Sequence, residues 1–211
     1  MIWFDVLVEG ASDVPAIREV MVRKFGLLEA EQFEIHAHQG KGELPPDVLA
    51  QPDKNKRQLL HQLPAKLRAF AKSRAPTAVV LVVVDADKLP EDQVIAELDA
   101  MLLKLRNKRP ARVLFKLAVE ETESWFIADT AAVKLAYPKA KITQLKGIKP
   151  DAVVGAWELL AKAIDSTGSS GTDKRRWAEL IAPHLNLENP PSPSLKKLIA
   201  GIDGELKEGT A

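Results

Sequence analysis

At 211 residues, with 46% hydrophobic and 28% charged positions, the chain has the composition of a globular protein that can bury a sizeable core, as one domain or two small ones. A formal net charge of +1 exerts no overall pull toward nucleic acid or membrane, so any basic surface has to be local. With no cysteine, disulfides, thiolate catalysis and cysteine-based zinc sites are excluded.

Residues 2–8 are apolar and β-rich and meet Glu9-Gly10. The next stretch, "SDVPAIREVMVRKFG", reads as a helix with Ser12 or Asp13 as its cap and Gly26 as its stop. Residues 32–38 alternate like a second strand, followed by the loop "GKGELPP". A helix over about 54–72 carries the stripe Leu59, Leu60, Leu63, Leu67 and Phe70, and Pro64 is expected to kink or interrupt it. "TAVVLVVV" is apolar on both faces, as in the centre of a covered parallel sheet. A third helix starts at Pro90-Glu91-Asp92 and ends in "KLRNKRP", and "RVLFKLAV" is a fourth strand.

Strands alternating with helices predict an α/β sandwich around a mostly parallel sheet over 1–120. From 121 to 211 the pattern becomes helical, over 124–137, 151–164, 173–185 and 194–206, and this region is expected to pack on the core as part of one integrated domain. Trp125, Trp157 and Trp177 read as packing anchors on these helices, and "STGSSGT" as a mobile loop. The first residues contain no basic leader or cleavage site, and the run 78–84 is too short to cross a bilayer. A cytoplasmic protein without membrane contact is expected.

Ligands in open parallel sheets sit beyond the carboxyl ends of the strands, where loops carry polar groups without burying them in the sheet. Three strands here end on acids: Glu9 after "DVLV", Asp85 and Asp87 after "LVVV", and Glu120, Glu121 and Glu123 after "FKLAV". Side chains alternate along an extended chain, so Asp85 and Asp87 share a side and Ala86 points away. Such an oxygen cluster repels itself unless it is protonated or holds a cation, and oxygen ligands select Mg²⁺, Mn²⁺ or Ca²⁺. An Asp after a strand is also a common turn former, and acids at a helix start complement its dipole. For "DAD" alone the two accounts are evenly matched; agreement among three strand ends favours a site.

"VEGASDVPAI" followed by "VVVDADK" resembles the TOPRIM fold, in which a Glu-Gly turn after the first strand and a later Asp-x-Asp bind Mg²⁺. Together with "HQGKGEL", "EETESWFIAD" and "PPSPSLKKLI", these motifs are similar to a bacterial TOPRIM-like family, domain-of-unknown-function family 4276. The resemblance covers most of the chain. It implies a TOPRIM-like α/β sandwich with a C-terminal helical extension, in which Glu9 is a metal ligand or general acid/base and Asp85 and Asp87 are metal ligands. Asp13 matches the acidic position after the glutamate turn in two-metal nucleases. Glu120 or Glu123, or Glu121 beside them, would complete a second site. Members of the family resemble OLD-type nuclease modules encoded beside ATPases in phage-defence clusters, which implies a partner ATPase.

The expected chemistry is Mg²⁺- or Mn²⁺-dependent phosphodiester hydrolysis on DNA or RNA, with Glu9, Asp85 and Asp87 catalytic and Lys41 or Lys88 offsetting phosphate charge. The alternative is a non-catalytic module of an ATPase, and no Walker-type "GxxxxGK[ST]" occurs in this chain. Between residues 101 and 149 eleven Lys or Arg stand against four acids, which reads either as a backbone-binding surface or as a solvated face. His36 and His38 share a strand face and read as packing residues or ligands, and "KRRW" as a nucleic-acid contact or an ordinary exposed helix start.

Overall fold

The computed structural model describes residues 2–86, 89–118, 121–149, 151–152, 155–166 and 171–209. Its frame is a sheet of Phe4–Val8 (β1), Phe33–Ala37 (β2), Val79–Asp85 (β3) and Arg112–Ala118 (β4), ordered β2-β1-β3-β4 with every pairing parallel. Parallel neighbours need crossover connections, and here each crossover carries a helix. The first is Val14–Glu19 (α1), which runs on into a π-helical turn over Val20–Lys24; the others are Leu59–Ser73 (α2) and Glu91–Leu105 (α3).

Strand alternation sorts the apolar residues into two layers. Phe4, Val6, Val8, Val79, Leu81 and Val83 face α1, whereas Leu7, Val80, Val82 and Val84 face α2 and α3. The run "VVLVVV" is thus apolar throughout because both of its faces are buried. Beyond the sheet come Glu123–Ala128 (α4), Thr130–Ala136 (α5), Ala156–Ala163 (α6), Gly171–Ile181 (α7) and Pro193–Glu208 (α8). Trp125, Trp177, Leu195 and Leu198 from these helices join the α1-side layer, so the strands and the C-terminal helices share one core. Among the described residues, no helix is long and apolar enough to cross a membrane.

Three elements depart from the sequence expectations. The helix expected over 124–137 breaks at Asp129, whose carboxylate accepts from Ala132 N (3.1 Å) to cap α5 and from Asn186 N (2.8 Å). Pro64 neither ends nor interrupts α2; one carbonyl bond is given up, and burial of Leu59, Leu60, Leu63 and Leu67 on the sheet holds the helix together. Asp13 is the residue before α1 but makes no cap bond to it; its carboxylate is used elsewhere. Four residues of "STGSSGT", 167–170, lie outside the described residues.

One charge sits inside the sheet. Asp5 on β1 is fully buried on the α2 side, and Arg74, just past α2, grips it with two bonds of 2.8 Å. His36 Nε2 adds a contact at 3.2 Å, and the guanidinium lies 5.1 Å from the Trp3 ring centroid. Burial pushes the Asp5 carboxyl up, but the bonds to His36 and Arg74 prevail and hold it below the usual carboxylate value. Its contribution to stability is therefore present above the ordinary carboxyl pKa and is lost as pH falls through the lower native value. Arg74→Ala leaves that carboxylate buried with His36 alone and should cost about 3 kcal/mol at pH 7. Asp5→Asn leaves a guanidinium that can reach water and should cost less. Urea unfolding of the two variants checks this order.

Candidate functional site

β1 and β3 are adjacent, and the helices that follow them leave to opposite faces, so the carboxyl ends of this pair form the topological switch point where α/β sheets bind ligands. Glu9 follows β1 directly, and Asp85 is the last residue of β3. Glu9 Oε1 accepts the Asp85 amide at 2.7 Å, which ties the two strand ends together. Ala86 turns the other way into the α2–α3 layer, as strand alternation requires.

The loop after β2 closes over this pair. Gly40 N donates to the Glu9 carbonyl at 2.8 Å, and Lys41 Nζ donates to the Asp85 carbonyl at 2.5 Å. Gly42, at φ +65°, has to be glycine: a Cβ there would stand 2.4 Å from Gln58 Cβ. Lys41 is thus held at the end of β3 by the backbone carbonyl of Asp85.

The third strand end arrives through Asp13. Its buried carboxylate accepts from Gly10 N at 2.8 Å and from Thr122 Oγ1 at 2.9 Å, linking the loop after β1 to the residues after β4. Glu123, the first residue of α4, is 3% exposed. From α7, Lys174 Nζ lies 3.1 Å from Glu121 Oε1 and 3.9 Å from Glu123 Oε1, and 5.2 Å from the Trp157 ring centroid. Glu9, Asp13, Asp85 and Glu123 are therefore gathered with Glu121 into one acidic site. Asp87, Lys88 and Glu120 lie outside the described residues.

A family model described as "Domain of unknown function (DUF4276)" matches residues 8–203. The chain belongs to this DUF4276 family. A search of curated proteins found no match. Among solved structures, two of the C-terminal region of the Xanthomonas campestris pv. campestris OLD protein, phased with mercury and with platinum, are similar at 15% identity, with TM-scores of 0.41 and 0.42. The alignments cover 97% of this chain and 97% and 94% of those chains. Similarity of that degree leaves the site of the DUF4276 chain to be judged on its own residues.

Electrostatics show what the acid cluster lacks. The Asp85 carboxyl is pushed well above its ordinary value, first by burial and then by the neighbouring Glu9, Asp13, Glu123 and Glu121. Asp13 is raised by burial against the opposing bonds from Thr122 and Gly10. Glu123 is raised to about 7 by burial, with Lys174 opposing and Glu121 adding. Lys174 is itself held in the charged state, its burial outweighed by Glu123 and Glu121. Among the described residues, two lysines, Lys174 and Lys41, stand against five carboxylates, and an all-oxygen donor set suits a hard divalent cation. Among the described residues, the set of three ligand atoms lying within 4.8 Å of one another is a different one, Asp5, Glu34 and His36. There Arg74 already neutralises Asp5, so that group has less need of an ion.

Lys174 and Thr122 escaped sequence reading. "KRRW" reads as a nucleic-acid contact or an exposed helix start, but Lys174 stands three residues before the buried Trp177, on the same helix face. His38 Nδ1 bonds the Val8 carbonyl at 2.8 Å, so both strand histidines have intramolecular partners. The cations of 101–149 are dispersed: Arg112 pairs with Glu205, Lys141 with Asp165, and Lys104, Arg106 and Lys108 line a cavity of about 820 Å³ at the far end of α3.

Glu123 yields a pH prediction. Its native pKa lies above the unfolded value, so its favourable contribution is complete below about 4.5 and is lost as pH rises through about 7. In metal-free protein Glu123→Gln should therefore raise stability at pH 8, by on the order of 2 kcal/mol, and leave it nearly unchanged at pH 4. Thermal melts at the two pH values decide it.

Proposed function

We propose that this DUF4276 protein is a divalent-metal-dependent phosphodiesterase that hydrolyses DNA or RNA. The observation that carries the reading is the gathering of Glu9, Asp13, Asp85 and Glu123 from three strand ends, with Asp85 pushed well above its ordinary value by burial and then by the other carboxylates. Glu9, Asp85 and Asp87 would hold a Mg²⁺ or Mn²⁺ ion, and Asp13 with Glu123 or Glu120 a second. A bound divalent ion supplies Lewis-acid polarisation of a phosphoryl oxygen and charge stabilisation at an attacking or leaving oxygen. The protein's own groups do the rest. Glu9 fixes the end of β3 through the Asp85 amide, and Lys41, bonded to the Asp85 carbonyl, stands where it can offset substrate phosphate charge, with Lys88 as a second candidate. Glu123, with a pKa of about 7, can hold or release a proton near neutral pH. A phage-defence role beside a partner ATPase, as the family resemblance implies, belongs to the same proposal.

A second reading has its own support. Both oxygens of Asp13 are hydrogen-bonded within the chain and Glu9 braces β3, so these acids also serve as a structural clasp, as they would in a non-catalytic module of an ATPase. The two readings separate on plasmid and RNA substrates with Mg²⁺ or Mn²⁺. Hydrolysis should fall by about 100-fold or more in Glu9→Gln and Asp85→Asn, with Glu9→Gln retaining an oxygen to accept the Asp85 amide and hence the fold. Equal activity in wild type and both variants rejects the assignment. Calorimetric titration with Mn²⁺ gives the companion readout: no heat of binding in the wild type favours the non-catalytic module.

A further inference from the structure

A second cavity lies beside the acid site and has the opposite charge. It encloses about 450 Å³ at the carboxyl end of β2, and Lys54, Arg57, Lys66, His38 and Gln62 line it together with Gln39. Among the described residues, none that lines it is acidic. Lys54, Arg57 and Lys66 form no ion pair with any described carboxylate. Lys66 is half-buried, and burial lowers its pKa although Asp5 and Glu34 pull it up. A cation desolvated in this way gains most from a bound anion.

The cavity is built, not incidental. Its outer wall, the loop around 53–57, is fastened to α2: Asp53 N donates to His61 Nε2 at 3.1 Å, and Gln62 Nε2 donates to the Asp53 and Lys56 carbonyls. Gln39 N donates to the Arg57 carbonyl at 3.1 Å, closing the loop onto the end of β2. The same wall adjoins the acid site. His38 N donates to the Val8 carbonyl at 3.1 Å and Gly40 N to the Glu9 carbonyl at 2.8 Å, so Gln39 sits between two residues bonded to the end of β1.

We propose that this cavity holds a phosphate of a nucleic-acid strand whose neighbouring linkage lies at the acid site. The ligand rests on the hydrolytic reading given above; the charge and construction of the cavity do not. An acidic site that takes cations and an adjoining basic site that takes phosphate divide the strand between them. The acids select the reacting linkage, while the cations grip the backbone without reading bases. Lys54 and Arg57 act by binding, and Lys66 sets the field of the inner wall.

The test uses the full chain in EDTA, where cleavage is suppressed, with 3′-fluorescein single-stranded 12-mers of DNA and RNA, each carrying a 5′-hydroxyl or a 5′-phosphate. Fluorescence anisotropy should show the double variant Lys54→Ala/Arg57→Ala binding about tenfold more weakly, with a salt slope shallower by roughly two. Both residues are exposed, so folding should be unaffected, and far-ultraviolet circular dichroism checks this. Arg18→Ala/Lys207→Ala, with the same loss of charge on α1 and α8, should stay within twofold of wild type. Lys66→Gln gives an independent arm. Weakening on both kinds of end assigns a backbone diester, and weakening confined to 5′-phosphorylated strands assigns a terminal monoester; either carries the proposal. Equal weakening by the control pair, no weakening by the Lys54/Arg57 pair, or no binding of any strand by the wild type overturns it. Metal-dependent hydrolysis separates the two claims. If Glu9→Gln abolishes cleavage while Lys54→Ala/Arg57→Ala changes neither binding nor KM, the phosphate site fails and the enzyme reading stands. If binding needs the pair and no metal ion elicits cleavage, the enzyme reading fails alone.

Discussion

The amide of Asp85 donates to the carboxylate of Glu9 across 2.7 Å, and the ends of the two central strands depend on that bond. It brings two acids together where their charges repel, and it does so at the end of a strand that is buried on both faces. Hydrophobic burial of β3 therefore sets how close the carboxylates must come, and burial, with the neighbouring carboxylates adding to it, raises the pKa of Asp85. A bonded acid is held more firmly than a free one, so the arrangement is rigid in the absence of any ligand. Rigidity of this kind is what preorganised electrostatics requires, since the donor groups need not move when charge develops.

Two devices keep the repulsion tolerable. Lys174 brings a positive charge to Glu121 and Glu123 from α7, far along the chain, and leans on Trp157. Thr122 and Gly10 supply hydrogen bonds to Asp13. On the opposite face the solution differs: Asp5 receives a full bidentate partner in Arg74, so the sheet contains one neutralised acid and one under-neutralised group. The contrast between them singles out the switch point, since both environments are buried and, among the described residues, the acids there outnumber the cations beside them.

The four strands and the three crossover helices were legible because each has a plain physical signature. "TAVVLVVV" can be covered on both faces and is β3; "QFEIHAH" alternates and is the half-exposed edge strand β2. The emergence of Glu9 and Asp85 beside each other was legible for the same reason, since position along a strand fixes where a residue emerges. Departures arose where tertiary contacts outweighed local rules. Asp129 splits a helix because two separate amides need its carboxylate, and Pro64 is tolerated because leucines on both sides of it are buried. Lys174 was hidden because its partners lie about fifty residues away, and periodicity carries no information about a contact across that distance. The basic cavity was hidden for a related reason: Lys54, Arg57, Lys66 and His38 occupy three elements that only the fold brings together.

The last helix has a consequence for how the molecule assembles. Leu195, Leu198 and Ile202 of α8 complete the apolar layer over β1 and β3, and Arg112 of β4 is bonded to Glu205 near the end of that helix. β1 and α8 lie nearly two hundred residues apart in the chain, so the part of this layer that α8 contributes closes only through contacts of long sequence separation. Contacts of such long sequence separation slow folding and leave strand surfaces open to self-association in the interval. Truncation within α8 should therefore open that layer and harm yield without touching the acids.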